Sequence, residues 1–220
     1  MRGRHLRQVL AIERLVYPRP WSQAMFASEL TQGDTRRYVV ALGSADTSQD
    51  LDRGRVDEWR RYLRRRPVLG YAGLMFALDE AHITTVAVHP HHHRRKIASR
   101  LLHTILGEAR ALGAGAATLE VRVANRGAQR LYMQFGFVPV GTRSGYYAET
   151  GEDALIMWAY ELQSGAFADR LAAQARRLDF PGGSSGAPDL DVPWVQGRIG
   201  LGGDEGPAVG REYHVGEGGD

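Results

Sequence analysis

The chain has 220 residues, 43% of them hydrophobic and 24% charged, with a formal net charge of +3. That length suits one domain of ordinary size plus an appendage, no stretch approaches the roughly 20 apolar residues of a membrane span, and the absence of cysteine excludes disulfides, thiolate metal sites and cysteine nucleophiles. The charge is uneven: residues 181–220 hold seven carboxylates against Arg198 and Arg211, which leaves +8 on residues 1–180 and favours anionic partners without saying which.

Residues 6–16 (LRQVLAIERLV) carry apolar side chains at helical spacing, and YPRPWS stops that helix and offers Ser22 as the N-cap of a second one through Leu30. The N-terminal stretch has no uninterrupted apolar core or small-residue cleavage site, so no secretory signal is read and a cytoplasmic location is expected. YVVAL (38–42) reads as a strand. After a polar insert, VLGYAGLMFAL and AHITTVAVHP read as an antiparallel hairpin turning at Asp79-Glu80. A helix is expected over 94–112, with Ile97, Leu101, Ile105, Ala109 and Leu112 on one stripe and Gly113 closing it.

ATLEVRV then alternates, with Leu119, Val121 and Val123 on one face and Thr118, Glu120 and Arg122 on the other. NRGAQRLYMQF is a short helix capped by Asn125 and ended by Gly136, and FVPVGTR and ALIMWAYEL are strands flanking the loop SGYYAETGED. The order predicts an α/β (α+β) fold, a mixed sheet flanked by helices, over residues 1–162. An amphipathic helix over 163–180 is appended. Thirteen of the 27 glycines follow residue 162, and 181–220 is expected to be disordered.

The densest chemistry lies in HPHHHRRKIASRLL, 89–102. Contiguous His91, His92 and His93 cannot readily direct three imidazoles at one ion, and no carboxylate stands at ligand spacing, so no metal is expected. Arg94, Arg95 and Lys96 are expected in the first helical turn, where the macrodipole already favours an anion. A phosphate held by the helix NH groups would compensate them, as would nucleic acid or plain solvent.

ITTVAVHPHHHRRKIASRLL, followed by LEVRVANRGAQRLYMQFGF, the Tyr-Tyr loop and the ALIM strand, resembles the GCN5-related N-acetyltransferase superfamily (GNAT). With IERLVYPRPWS it resembles more narrowly the bacterial ribosomal-protein-alanine N-acetyltransferase (RimI-type) family, over about residues 8–162. The resemblance implies a mostly antiparallel central sheet and acetyl-CoA as cosubstrate. Main-chain groups of Val86, Ala87 and Val88 would meet the pantetheine, and the turn of Arg94, Arg95, Lys96, Ile97, Ala98 and Ser99 would hold the pyrophosphate. The family's turn reads Gln or Arg, two variable residues, Gly, one variable residue, then Gly or Ala. His93 and Lys96 depart from it, and a Cβ at 96 could crowd the phosphate.

The resemblance also implies that Glu120 is the general base, Tyr132 the general acid toward the coenzyme sulfur, a main-chain NH near Val88 the oxyanion donor, and Asn125 a cofactor ligand. Otherwise Glu120 reads as a solvent-facing strand residue and Tyr132 as core. Tyr17, Trp21, Tyr146 and Tyr147 are the implied acceptor-binding aromatics, with packing as their other reading.

Acetyl transfer needs a neutral amine, and an α-amine with a pKa of about 8 is roughly one-tenth neutral at pH 7, a lysine far less so. This favours a protein α-amine as acceptor, and the resemblance implies the N-terminus of a small-subunit ribosomal protein. A small-molecule amine (polyamine or aminoglycoside) and a non-catalytic ribosome-associated module are the rival functions. Two departures go with this: the insert 43–67 carries seven arginines, fit for a ribosome or rRNA contact or for a solvated helix, and the family's strand before the first helix has only about five residues here.

Overall fold

The computed structural model describes residues 1–43 and 66–178. The expected rRNA or ribosome contact falls chiefly on the insert, almost all of it outside those residues, and the tail 181–220 lies wholly outside them.

Helix α1 (Leu6–Val16) buries Leu6, Val9, Leu10 and Ile12, whereas Leu15 of the same expected stripe stays exposed. Ser22 caps α2 (Gln23–Thr31), its hydroxyl accepting from the Met25 NH at 3.2 Å. Strand β1 (Arg36–Leu42) follows, then the hairpin of β2 (Val68–Ala77) and β3 (Glu80–Val88). Helix α3 (Ile97–Ala111), strand β4 (Ala116–Arg122) and helix α4 (Arg126–Gln134) come next. Strands β5 (Val138–Tyr147) and β6 (Glu152–Ala159) and helix α5 (Gly165–Arg177) complete the described chain.

The strands form one sheet in the order β1-β2-β3-β4-β6-β5, antiparallel except between β3 and β4. No strand precedes α1 among the described residues, so β1 is an edge, and the Met1 amine donates to the Tyr38 carbonyl on it. One face of the sheet packs on α3 through Leu74, Ile83, Leu101, Leu102, Ile105, Leu119 and Met157, and Phe167, Leu171 and Leu178 of the α5 segment join this core. The other face carries α1 and α2, where Phe26 meets the Tyr38 and Tyr71 rings edge-on at 6.1 and 5.8 Å. No described helix is long and apolar enough to cross a membrane.

Two features of β3 set up the site. Gly73 pairs with Thr85 and Leu74 with Ile83, so Thr84 is an extra residue, a β-bulge that breaks the alternation. Ile83 belongs to the α3-side core and Ala87 to the α1-side core, a pairing that strict alternation forbids. The second feature is the brevity of the parallel ladder, which runs from Glu80↔Ala116 to His82↔Thr118 and stops. Beyond it β3 and β4 part company, and the Ile83–Val88 edge has no strand partner on the β4 side.

Candidate active site

The parting strands end at two groups of residues that the sequence singles out. At the C-terminal end of β3, Ala87 and Val88 are buried, Val86 packs against the α3-side core, and the chain passes through a 3-10 turn (Pro90–His92) into the loop before α3. His93 folds back so that its Nε2 lies 3.1 Å from the Val88 carbonyl.

Arg94, Arg95 and Lys96 do not occupy the first helical turn: α3 starts at Ile97, and Lys96 is its N-cap residue. Arg94 has φ 61° and Lys96 φ 59°, both in the left-handed region. The reason is that three cations at a positive helix end repel each other and the end, so no local preference extends the helix over them. A non-glycine residue there costs roughly 1–2 kcal/mol. Two such residues within three adopt the left-handed backbone that glycine takes freely and that anion-binding loops use.

The Lys96 side chain gives α3 no cap, so the NH groups of Ile97, Ala98 and Ser99 begin the helix unpaired by it. These features fit a diphosphate-bearing coenzyme with its pantetheine arm along the open edge of β3. The lysine ammonium is elsewhere: Nζ donates to the Arg177 carbonyl at 2.9 Å, at the end of α5. Arg95 is engaged with His92 at 3.0 Å.

The second group sits on the α1 side of β4. The alternation of β4 buries Leu119 and Val121 in the α3-side core and sends Glu120 the other way. Glu120 is not the solvent-facing strand residue of the plainer reading, since its side chain is only 8% exposed. Its Oε2 lies 3.3 Å from His82 Nε2 and its Oε1 3.4 Å from Arg143, which arrives from β5. Burial holds the His82 pKa below the ordinary imidazole value, Glu120 opposes that shift and Arg143 adds to it.

Tyr132, from α4, is buried with its ring edge-on to Phe137 at 5.8 Å, and burial pushes its pKa well above the usual phenol. Nearby Tyr17 and Tyr147 add to that rise, and the Tyr147 pKa, about 12, is itself raised by burial and then by Tyr146 and Glu120. Tyr147 therefore stands within electrostatic reach of both Glu120 and Tyr132. Its ring also lies under the Arg122 guanidinium at 3.8 Å. Tyr17, with a pKa also raised to about 12 by burial, shares a 2.9 Å hydrogen bond with the Thr85 hydroxyl beside the bulge.

The remaining assignments are more structural. Trp21 packs on Phe26 at 5.3 Å, and its main-chain NH donates to the Glu13 carboxylate at 3.0 Å. Asn125 accepts from the Ala128 NH at 3.0 Å, capping α4. Tyr146 is exposed, edge-on to Tyr147 at 5.1 Å and near the Arg143 guanidinium at 5.3 Å. Glu149, between β5 and β6, and Glu152, the first residue of β6, both bind Arg122, at 2.6 and 2.9 Å.

Sequence reasoning missed His82. A single imidazole inside the β-branched run AHITTVAV was its only signal, and the β3–β4 register gives it meaning.

Residues 6–137 match the family described as Acetyltransferase (GNAT) family. The [ribosomal protein bS18]-alanine N-acetyltransferase of Escherichia coli (strain K12) is 31% identical over 148 residues, 66% of this chain and 84% of that protein. Its counterpart in Salmonella typhimurium is 32% identical over the same length and shares. The crystal structure of the ribosomal-protein-S18-alanine N-acetyltransferase from Escherichia coli superposes with a TM-score of 0.57 at 26% identity, over 75% of this chain and 93% of that one.

Proposed function

The chain belongs to the acetyltransferase (GNAT) family and is an acetyl-transferring enzyme, and from that premise we propose that it moves the acetyl group of acetyl-CoA to a protein N-terminal α-amine, that of the N-terminal alanine of a small-subunit ribosomal protein. The work is then done in the cytoplasm, beside the ribosome.

The observation that carries this reading is the position of Glu120, buried behind the point where β3 and β4 separate and facing a tyrosine cluster instead of open solvent. Acetyl-CoA supplies the activated acetyl thioester. Val86, Ala87 and Val88 offer it a strand edge without a β4 partner, and the loop from Arg94 to Ser99 offers it main-chain NH groups at the start of α3.

Glu120 is the base that takes the proton from the acceptor ammonium. The contacts from His82 and Arg143 fix the carboxylate in one rotamer, so it is presented without reorganisation. An α-ammonium gives up its proton at about pH 8, so one carboxylate suffices.

Tyr132 holds its proton at every physiological pH, because its pKa is far above that of a thiol, about 8.5. Its hydroxyl is thus a donor that stabilises charge developing on the departing sulfur, without parting from its proton beforehand.

Tyr17 and Tyr147 form apolar walls with polar tips, suited to a short peptide backbone. Carboxylates of this region that would attract a polycation are already paired with cations: Glu149 and Glu152 with Arg122, and Glu120 with Arg143. This favours a peptide over a polyamine acceptor.

Titration calorimetry with acetyl-CoA, followed by a steady-state comparison of an alanine-starting ribosomal peptide with spermidine, tests the reading. Saturable binding and turnover of the peptide support it. No binding, or turnover of spermidine alone, refutes it.

A further inference from the structure

Helix α5 follows the last strand and has no role in the chemistry above, yet three main-chain carbonyls of α5 and its C-cap meet side chains of α3 and of the residue before it. Lys96 Nζ donates to the Arg177 carbonyl at 2.9 Å, Arg100 to the Leu178 carbonyl at 2.9 Å, and His103 Nε2 lies 3.2 Å from the Leu171 carbonyl. Two of these are carbonyls at the C-terminal end of a helix, where the macrodipole is negative and cations are favoured. Phe167, Leu171 and Leu178 seat the same helix in the core, and Gln174 donates to the Gln134 carbonyl at the end of α4 at 2.8 Å. The Arg177 carbonyl that receives Lys96 is therefore held in place.

Lys96 stands at φ 59°, a conformation that a glycine would adopt at no steric cost and that a lysine adopts only if something holds it. The backbone of its neighbours is the part of the loop that offers NH groups to a diphosphate.

We propose that α5 is a positioning element for the coenzyme loop: the Arg177 carbonyl at its C-terminal end holds the Lys96 side chain and so keeps the loop in the left-handed form that binds the diphosphate, with Lys96 serving as a tether and not as a phosphate ligand. This rests on the reading of the Arg94–Ser99 loop as the coenzyme site. The lysine stem points its charge away from the loop and onto a neighbouring helix. The substitution of a lysine for a small residue at this turn is thereby tolerated, because the tether offsets the cost of the Cβ.

The two functions of Lys96 separate in two variants of the full chain. Lys96→Met keeps the Cβ and its conformational cost and loses the tether. Lys96→Gly loses both. Calorimetric titration with coenzyme A gives the affinity without turnover, and steady-state kinetics give KM for acetyl-CoA and kcat.

The tether predicts that Lys96→Met weakens coenzyme A binding about tenfold, because the competent loop is less populated, and raises KM with kcat nearly unchanged. It predicts that Lys96→Gly restores both to within about twofold of the parent. Equal weakening by both variants would show the ammonium acting on the coenzyme directly and overturn the proposal, as would an unchanged affinity in Lys96→Met. Failure of the parent protein to bind coenzyme A would instead remove the site reading on which the proposal stands.

Discussion

His82 Nε2 lies 3.3 Å from Glu120 Oε2, across the short parallel ladder that joins β3 to β4. The two residues meet because His82 pairs with Thr118 and Glu120 sits two residues farther along the same face of β4. The contact orients the candidate base exactly where the sheet opens, so its removal should affect turnover more than binding. Glu120→Gln is expected to lower kcat by about 10²–10⁴-fold, the usual contribution of a general base. His82→Ala, which frees one carboxylate oxygen, is expected to lower it by about tenfold. Coenzyme A affinity, read by calorimetry, should stay at the parent value in both. Full turnover in Glu120→Gln removes the assignment.

Tyr132→Phe deletes one hydroxyl and keeps the ring that packs on Phe137. The variant should melt within a few degrees of the parent, and kcat should fall by about 10²-fold, as for the loss of one donor to a developing anion. The check is a thermal melt beside a steady-state assay on the same preparation. A large loss of Tm with proportionate loss of activity would make Tyr132 a packing residue only.

Acid should weaken the fold through buried imidazoles. His5 is buried, and burial followed by the Arg4 charge holds its pKa down to about 4; burial also lowers His82 and His103. Each takes up its proton more readily when unfolded, so the stability tied to the neutral form is complete above about pH 6.5 and is lost as pH falls through the folded-state pKa, about 4 for His5. Glu13 acts in the opposite sense, its carboxyl raised by burial. The expected difference in Tm between pH 7 and pH 4 is on the order of 5 °C from His5. Melts of the parent and of His5→Gln across that range check it: the variant should show a shallower slope, and parallel curves would contradict the account.

Gly136 ends α4 at φ +92°, and a Cβ there would meet the Arg170 guanidinium of α5. Gly136→Ala should therefore destabilise the protein by more than about 1 kcal/mol. A denaturant melt reads this as a lowered midpoint at unchanged slope.

Local signals carried most of the fold into the sequence. The caps at Ser22 and Asn125 and the left-handed glycines at 113 and 136 stand where residue type alone places them, because each is a short-range effect. Glu120 and Tyr132 were singled out by resemblance alone, and the structure sets Tyr17 and Tyr147 near them.

What stayed hidden depends on pairing between distant segments. The bulge at Thr84 is invisible to an alternation that assumes one residue opposite one. Arg94 and Lys96 carry no side-chain sign of a positive φ, which only glycine advertises, so the helix was expected three residues too early. The tether of Lys96 to Arg177 needs a helix that lies far along the chain.

The central claim is transfer of an acetyl group to an α-amine at this site, and the most direct measurement locates the acetyl group. A ribosomal peptide that begins with alanine and contains one internal lysine is incubated with the protein and acetyl-CoA, and tandem mass spectrometry maps the product. The account predicts one acetyl group, on the alanine nitrogen, absent when the protein carries Glu120→Gln. Acetyl on the lysine, or a peptide left unmodified by a protein that binds the coenzyme, contradicts it.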